Sequence, residues 1–147
     1  MIHIPTYFSL EELVCEDVYN TYGKQAFSFF DPRLLITIDV IRERLCKPIY
    51  VNDWMIHGSQ SQSGLRCPKC SLVKEKTDKG ILYMSAHCTG QAIDFHVPDM
   101  LADDVRRWLV DKQNLLPYPI RLESSVNWIH CDVRDNFEGK KVIFFNA

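Results

Sequence analysis

Apolar residues recur along this chain with two different periods, and the period changes part-way. In the first third they return every three or four positions, as on a helix with one buried face; in the last third they alternate in twos, as on a half-buried strand. Ser9-Leu10-Glu11-Glu12 carries a capping-box signature, with Ser9 at the helix start and Glu12 reaching back to it. Leu10, Leu13, Val14 and Val18 follow at helical spacing. A second helix is predicted from Asp31-Pro32, with proline in the first turn, where its missing N–H costs nothing. Leu34, Leu35, Ile38, Ile41 and Leu45 form its buried stripe, Arg42, Glu43 and Arg44 its wet side, and Lys47-Pro48 ends it. Residues 49–54 and 91–97 read as strands, and 101–112 as a third helix with Leu101, Val105, Trp108 and Leu109 inward. Residues 120–123 and 127–134 are candidate strands joined by a tight turn, and 141–145 is another. Helices early and strands late predict an α+β fold, a mostly antiparallel sheet with helices packed on one face. The polar stretch 57–80 is long for a connection inside a domain, and such loops are usually functional or mobile.

Composition narrows the class without naming a function. The 147 residues suit one domain over 1–147, with a long loop insert at about 57–83. Seventeen basic against nineteen acidic residues give a net charge of −2, so no general pull toward nucleic acid is expected. No apolar run approaches the roughly 18 residues of a membrane span, so no membrane insertion is expected. Met1-Ile2-His3-Ile4-Pro5 lacks the basic start and apolar stretch of a secretion signal, which predicts a chain made in the cytoplasm or exported by another route. A monomer is expected. The six cysteines are expected to be reduced thiols. Cys67-Pro68-Lys69-Cys70 is half of a structural zinc site with no second CxxC to complete it. Plain loop thiols are the favoured reading there, with a structural metal, a disulfide clip or redox chemistry as alternatives. Redox chemistry is disfavoured because the motif is not expected to follow a strand and open a helix.

Candidate chemistry lies in two distant segments, Ser85-Ala86-His87-Cys88-Thr89-Gly90-Gln91-Ala92-Ile93-Asp94 and Trp128-Ile129-His130-Cys131-Asp132. Two imidazoles and a carboxylate, His87, Asp94 and His130, can hold Zn²⁺ at three corners of a tetrahedron and leave the fourth open, the pattern of a catalytic zinc. Gly90 lets the chain turn between His87 and Asp94. Asp94 sits among Ala92, Ile93 and Phe95, where a carboxylate is costly unless paired or metal-bound. Pairing with Arg66 or Arg134 is the plainer alternative. On a strand, Trp128, His130, Asp132 and Arg134 share one face and Ile129, Cys131 and Val133 the other. Asp132 reads as a hydrogen-bond partner that fixes an imidazole rather than as a ligand. His57 and His96 read as ordinary partly buried histidines, and His3 as uninvolved. A zinc hydrolase also needs a base and a positive group. Glu123, seven residues before His130 across a presumed turn, is the candidate base, and Arg66 the candidate guanidinium. A surface strand residue and a structural ion pair are the plainer readings of these two.

Together, Ser63-Gly64-Leu65-Arg66, Ser85-x-His87-x-x-Gly90-x-Ala92-x-Asp94 and Trp128-x-His130-x-Asp132-x-Arg134 resemble the zinc D-Ala-D-Ala carboxypeptidases. That family also contains L-Ala-D-Glu endopeptidases found in phage lysins, and the hedgehog signalling domain shares its fold. The opening Tyr7-Phe8-Ser9-Leu10-Glu11-Glu12-Leu13 and Pro48-Ile49 also look like its short, single-domain members, so the similarity spans roughly residues 7–145. The resemblance implies a hedgehog/DD-peptidase-like α+β domain with Zn²⁺ on His87, Asp94 and His130. It implies cleavage of peptide bonds in peptidoglycan stem peptides, with Glu123 and Arg66 catalytic and with Arg66, Ser85 and Trp128 against the substrate. Action on the cell wall after a phage-type release fits the missing signal. Two departures stand out. Many members place the catalytic Glu three residues before the last His ligand, where this chain has Asn127; Glu123-Ser124-Ser125 is closer to the hedgehog arrangement. The second is the insert 67–83 between Arg66 and His87. The alternative function is a catalytically inactive, zinc-stabilised module that binds wall peptides or a protein partner.

Overall fold

Four short strands form the sheet: β1 (Ala92–Phe95), β2 (Ile120–Glu123), β3 (Ile129–Asp132) and β4 (Val142–Phe145), in the spatial order β1-β3-β2-β4. They belong to a computed structural model describing residues 1–147. β3 pairs antiparallel with both β1 and β2, whereas β4 lies parallel to β2. The sheet is therefore mixed. β1 and β2 occupy both edges of β3, which leaves the free edge of β2 for the last strand. β3 ends beside the start of β2, at the Arg121–Asp132 pair, so a chain returning from there runs alongside β2 in the same direction. Five α-helices complete the α+β fold: α1 (Leu10–Leu13), α2 (Glu16–Tyr22), α3 (Pro32–Leu45), α4 (Ser71–Asp78) and α5 (Ala102–Asp111).

The strongest sequence signals fold locally as their chemistry dictates. Asp31 caps α3 by accepting the Arg33 N–H at 3.0 Å, Pro32 fills the first turn, and Cys46 ends the helix in the left-handed region at φ 56°. At the N-terminus, a Glu12 carboxylate oxygen accepts the Ser9 N–H at 2.7 Å. The single amphipathic helix expected through Val18 nevertheless breaks. Val14 is extended (ψ 162°) and forms a parallel bridge with Leu65. Its carbonyl accepts Asn52 Nδ2 at 3.1 Å and Trp54 Nε1 at 2.8 Å, tertiary bonds that outweigh continuation of a short helix. Residues 49–54 likewise form no sheet strand. They make one bridge, Tyr50 with His96, and pass into a 3₁₀ turn at Trp54–Ile56.

The expected long loop is built differently. It carries α4, which begins directly after Cys70, so the CxxC does open a helix. Its polarity reflects a helix laid on the surface: Val73 is its one buried residue, and Lys74–Asp78 and Lys79–Glu75 pair outside at 2.5 and 2.6 Å. A single cluster of 30 buried residues forms the core, joining the stripe of α3 and Val105 and Leu109 of α5 to Ile93, Phe95, Leu122, Ile129 and Cys131 of the sheet. Leu101, expected inward, is instead exposed, because it stands at the extended cap before α5. Trp108 packs against the core only partly. No helix is long and apolar enough to cross a membrane.

Candidate metal centre

The sheet register arranges the candidate residues in rows. Asp94 on β1 stands opposite His130 on β3, and Glu123 on β2 opposite Phe145 on β4. β2 and β3 pair Arg121 with Asp132 and Leu122 with Cys131, so the next step of that register sets Glu123 beside His130. One row across the sheet thus reads Asp94, His130, Glu123, Phe145. The adjacent row on the same face reads Ala92, Asp132, Arg121, Ile143. The opposite face carries Ile93, Cys131 and Leu122 into the core. Alternation along β3 divides the strand as its sequence pattern predicts, but both faces are buried. The polar face is covered by its own partners rather than by water.

Residues 63–66 form a spine against which the site is built. The Ser63 carbonyl accepts the Asp94 N–H at 2.7 Å, the Gly64 carbonyl faces His87 Nδ1 at 2.9 Å, and the Arg66 N–H donates to the His87 carbonyl at 3.1 Å. Gly64 lets this segment lie against the end of α1, since a Cβ there would stand 2.0 Å from the Leu13 carbonyl oxygen. Gly90 is needed twice over: its φ is +66°, and a Cβ would meet the Phe29 oxygen at 2.1 Å. The turn that separates His87 from Asp94 therefore admits only glycine.

The three predicted ligands converge. His87 Nε2 lies 3.3 Å and His130 Nδ1 2.9 Å from the same oxygen, Asp94 Oδ1, and the three ligand atoms all lie within 4.8 Å of one another. Ligands about 2.0–2.1 Å from a tetrahedral ion are about 3.3 Å apart, which these spacings approach. A hydrogen bond behind the His87 ring sets its tautomer. The Gly64 carbonyl can only accept, so His87 carries its proton on Nδ1 and turns the Nε2 lone pair toward Asp94. His130 Nε2 lies 2.9 Å from Asp132 Oδ2, an acceptor held by Arg121 through two bonds of 2.7 and 2.9 Å. That leaves His130 Nδ1 facing Asp94 as well. Two lone pairs and a carboxylate oxygen aimed at one point repel unless a cation, or extra protons, lies among them. The donor set fits a divalent metal, and the groups behind it are those that orient imidazole ligands.

The electrostatics of the bare site point the same way. Burial pushes the His130 imidazole down, but hydrogen bonds to Asp132 and Asp94 prevail and lift it to about 9. Without metal, a proton on His130 provides the positive charge between two carboxylates. Burial raises Asp94, yet the bonds from His130 and His87 hold it well below the usual carboxylate range. Asp132, fully buried, is held low in the same way by His130 and Arg121.

Compared with known protein families, with curated proteins and with solved structures, the chain matches none. The site has to be read from its own geometry. His87, Asp94, His130, Glu123, Arg66, Ser85, Trp128, Asp132 and Arg134 all line one cleft of about 420 Å³. A second groove of about 660 Å³ adjoins it and shares Arg66, Asp94 and Trp128. Arg66 is committed inside the protein: Nε donates to the Gln62 carbonyl at 2.6 Å, Nη1 to Tyr83 Oη at 3.1 Å and Nη2 to Asp94 Oδ2 at 3.3 Å. It thereby turns the other Asp94 oxygen toward the imidazoles. The Arg134 guanidinium donates only to the Met84 carbonyl. Ser85 Oγ accepts the His87 N–H at 3.3 Å, which shapes the loop that delivers that ligand. His3 pairs with Asp39, His57 is exposed, and His96 lines only the second groove.

Sequence reasoning missed Arg106. It lies buried on α5 and donates to the carbonyls of Glu123, Val126 and Trp128, clamping the β2–β3 turn that carries two cleft residues. Its signal was an arginine on the inward face, one position after Val105. Phe145 was also missed; its ring lies 5.5 Å from that of His130 and 4.6 Å from the Arg121 guanidinium, walling the cleft.

Proposed function

We propose that this cleft is the active site of a zinc-dependent peptidase that hydrolyses peptide bonds in the stem peptides of bacterial peptidoglycan. The observation that carries the reading is the shared oxygen of Asp94: two imidazole nitrogens converge on it, with a carboxylate, Glu123, in the same row of the sheet. His87 Nε2, Asp94 Oδ1 and His130 Nδ1 would hold Zn²⁺, which supplies Lewis acidity to a water and to the scissile carbonyl. Glu123 takes the proton of the attacking water, the water oxygen bonds to the carbonyl carbon, the C–N bond breaks, and the leaving amine receives the proton. Arg66 acts mainly by orienting Asp94, which shifts its expected role from substrate contact toward positioning. Arg134 is the guanidinium better placed to meet a substrate carboxylate, a group in which wall stem peptides are rich. The two adjoining grooves suit an extended chain lying across Asp94 and Trp128. The resemblance of the three segments 63–66, 85–94 and 128–134 to the D-Ala-D-Ala carboxypeptidases supports the same substrate class.

The test is a peptidoglycan digest with the zinc-loaded chain and its Glu123→Gln variant. The wild type is expected to release stem-peptide fragments. Glu123→Gln should lose about 10²–10⁴-fold in rate while keeping its metal. A zinc-bound wild type that releases no fragments would leave the inactive binding module as the reading. Equal turnover by wild type and variant would remove Glu123 as the base.

A further inference from the structure

The cysteines form a second cluster that the proposed hydrolysis does not use. Cys15 Sγ lies 3.6 Å and Cys70 Sγ 3.8 Å from Cys67 Sγ, and all three sulfurs lie within 4.8 Å of one another. Cys15 and Cys70 are buried and Cys67 is half-buried. We propose that Cys15, Cys67 and Cys70 bind a second zinc ion, a structural one, which clamps the 67–83 insert to the junction of α1 and α2.

The sulfur spacing matches a zinc ion. Thiolates about 2.3 Å from a tetrahedral zinc stand about 3.8 Å apart, close to the separations found here. A disulfide needs its sulfurs at about 2.05 Å and uses only two of them, so it accounts for neither the distances nor the third thiol. Of the three remaining cysteines, Cys46 is exposed, Cys131 is enclosed in the core and Cys88 is half-buried outside the cluster. The Cys67-Pro68-Lys69-Cys70 turn is closed by the Cys70 N–H on the Cys67 carbonyl at 3.1 Å, which sets both of its sulfurs beside Cys15.

The insert also lacks anchoring of its own. α4 has eight residues and buries only Val73. A helix of that length is marginal in water without strong packing. Its outer ion pairs are exposed and worth little. A small polar element of this kind needs a staple, and a thiolate-bound metal is one. The ligands come from the right places. Cys15 follows Val14, which bridges Leu65, and Cys67 follows Arg66, so the cluster closes the end of a contact already begun by the Leu65 N–H on the Leu13 carbonyl at 2.8 Å. Lys69 pairs with Asp17 at 2.8 Å across the same two segments and sets a positive charge near three thiolates whose zinc complex carries a net negative one. The chain supplies three ligands, as at an open zinc site, but all three are thiolates and none of them lines either groove, which assigns the ion a structural role.

The test uses the full chain, reduced and stripped of metal, titrated with Co²⁺. A sulfur-to-cobalt charge-transfer band in the near ultraviolet is expected, saturating within two equivalents in the wild type, whose cleft also takes cobalt, and at one equivalent in His87→Ala. The band should persist in His87→Ala, which lacks a complete cleft site, and vanish in the Cys67→Ser, Cys70→Ser double variant. In the His87→Ala background, zinc should also slow proteolytic cleavage within 67–83 by about tenfold or more. The wild-type titration decides the matter even if the double variant does not fold. Absence of the band from the reduced wild type overturns the proposal, as does a disulfide among the three cysteines that, once reduced, takes up no cobalt. Zinc that leaves cleavage of the insert unchanged overturns the clamp. None of these readouts depends on hydrolysis, so an inactive cleft leaves them intact.

Discussion

The two side-chain clusters differ in what carries them and in what surrounds them. His87, Asp94 and His130 stand on adjacent strands and the turn that feeds them, on the wall of a cleft that also holds Glu123 and Trp128. Cys15, Cys67 and Cys70 stand at two helix starts and a turn, and none of them lines either groove. The first set offers nitrogen and oxygen donors with a carboxylate and guanidinium groups within the same wall. The second offers sulfur alone. On the two proposed readings, the neighbours, more than the ligands, separate chemistry from stapling.

Removing one set and following the other separates the two clusters most clearly. In His87→Ala, peptide release by the zinc-loaded chain should fall to background while the thiolate metal stays, as read by metal content beside a peptidoglycan digest. Loss of both metals together would mean that the clusters are not independent. A milder change behind the cleft is Asp132→Asn, which keeps the shape and weakens the acceptor on His130 Nε2. Zinc affinity at the cleft should drop about 10–100-fold, with the cobalt–sulfur band unchanged. Competition against a chelator of known affinity measures it.

Arg106→Met tests whether the cleft depends on its supporting turn. Three carbonyls lose a donor, at a cost of about 3 kcal/mol or more. The melting temperature should fall by about 6–12 °C. If Glu123 is the base, kcat should fall while cleft metal is retained; an unchanged kcat would detach the turn from catalysis.

The smallest expected effect is on pH dependence, and it distinguishes the bare cleft from the filled one. His130 is raised from 6.5 to about 9 without metal. Its contribution is therefore full below about 6.5 and is lost as pH rises through about 9. Asp94 and Asp132 are lowered, so theirs is present above the ordinary carboxylate range, near 3.8, and is lost as pH falls below it. Thermal melts of the stripped chain should be highest on the weakly acidic side and decline toward pH 9, and zinc should flatten that decline. A stripped chain with no alkaline decline would contradict a shared proton on His130.

Legibility in the sequence followed the range of the interactions. α3 was readable because its cap, proline and apolar stripe lie within one segment. β1, β2 and β3 were readable from alternation, and with them the two faces of His130 and Cys131. The break at Val14 was not, because the bonds that cause it come from Asn52 and Trp54. The helix in the polar stretch was hidden because only Val73 marks a buried face. In the candidate site, the ligands carried their own signal, an acid among apolar residues and two histidines in patterned segments. Arg66 as the partner of Asp94 was foreseen as the plainer reading. The carbonyl clamp of Arg106 and the closeness of Cys15 to the CxxC were not foreseen.

Residue types and periods are local properties of the chain: which strands alternate, where glycine must turn the chain at Gly90, and which side chains can bind a metal. These follow from local backbone geometry and from side-chain chemistry, both of which each residue carries with it. Only the tertiary structure decided that β4 runs parallel to β2, that Glu123 stands in the row of His130, and that Cys15 meets Cys67 and Cys70. Those outcomes depend on which strand edges remain free and on contacts between residues far apart in the chain, and no local pattern encodes either.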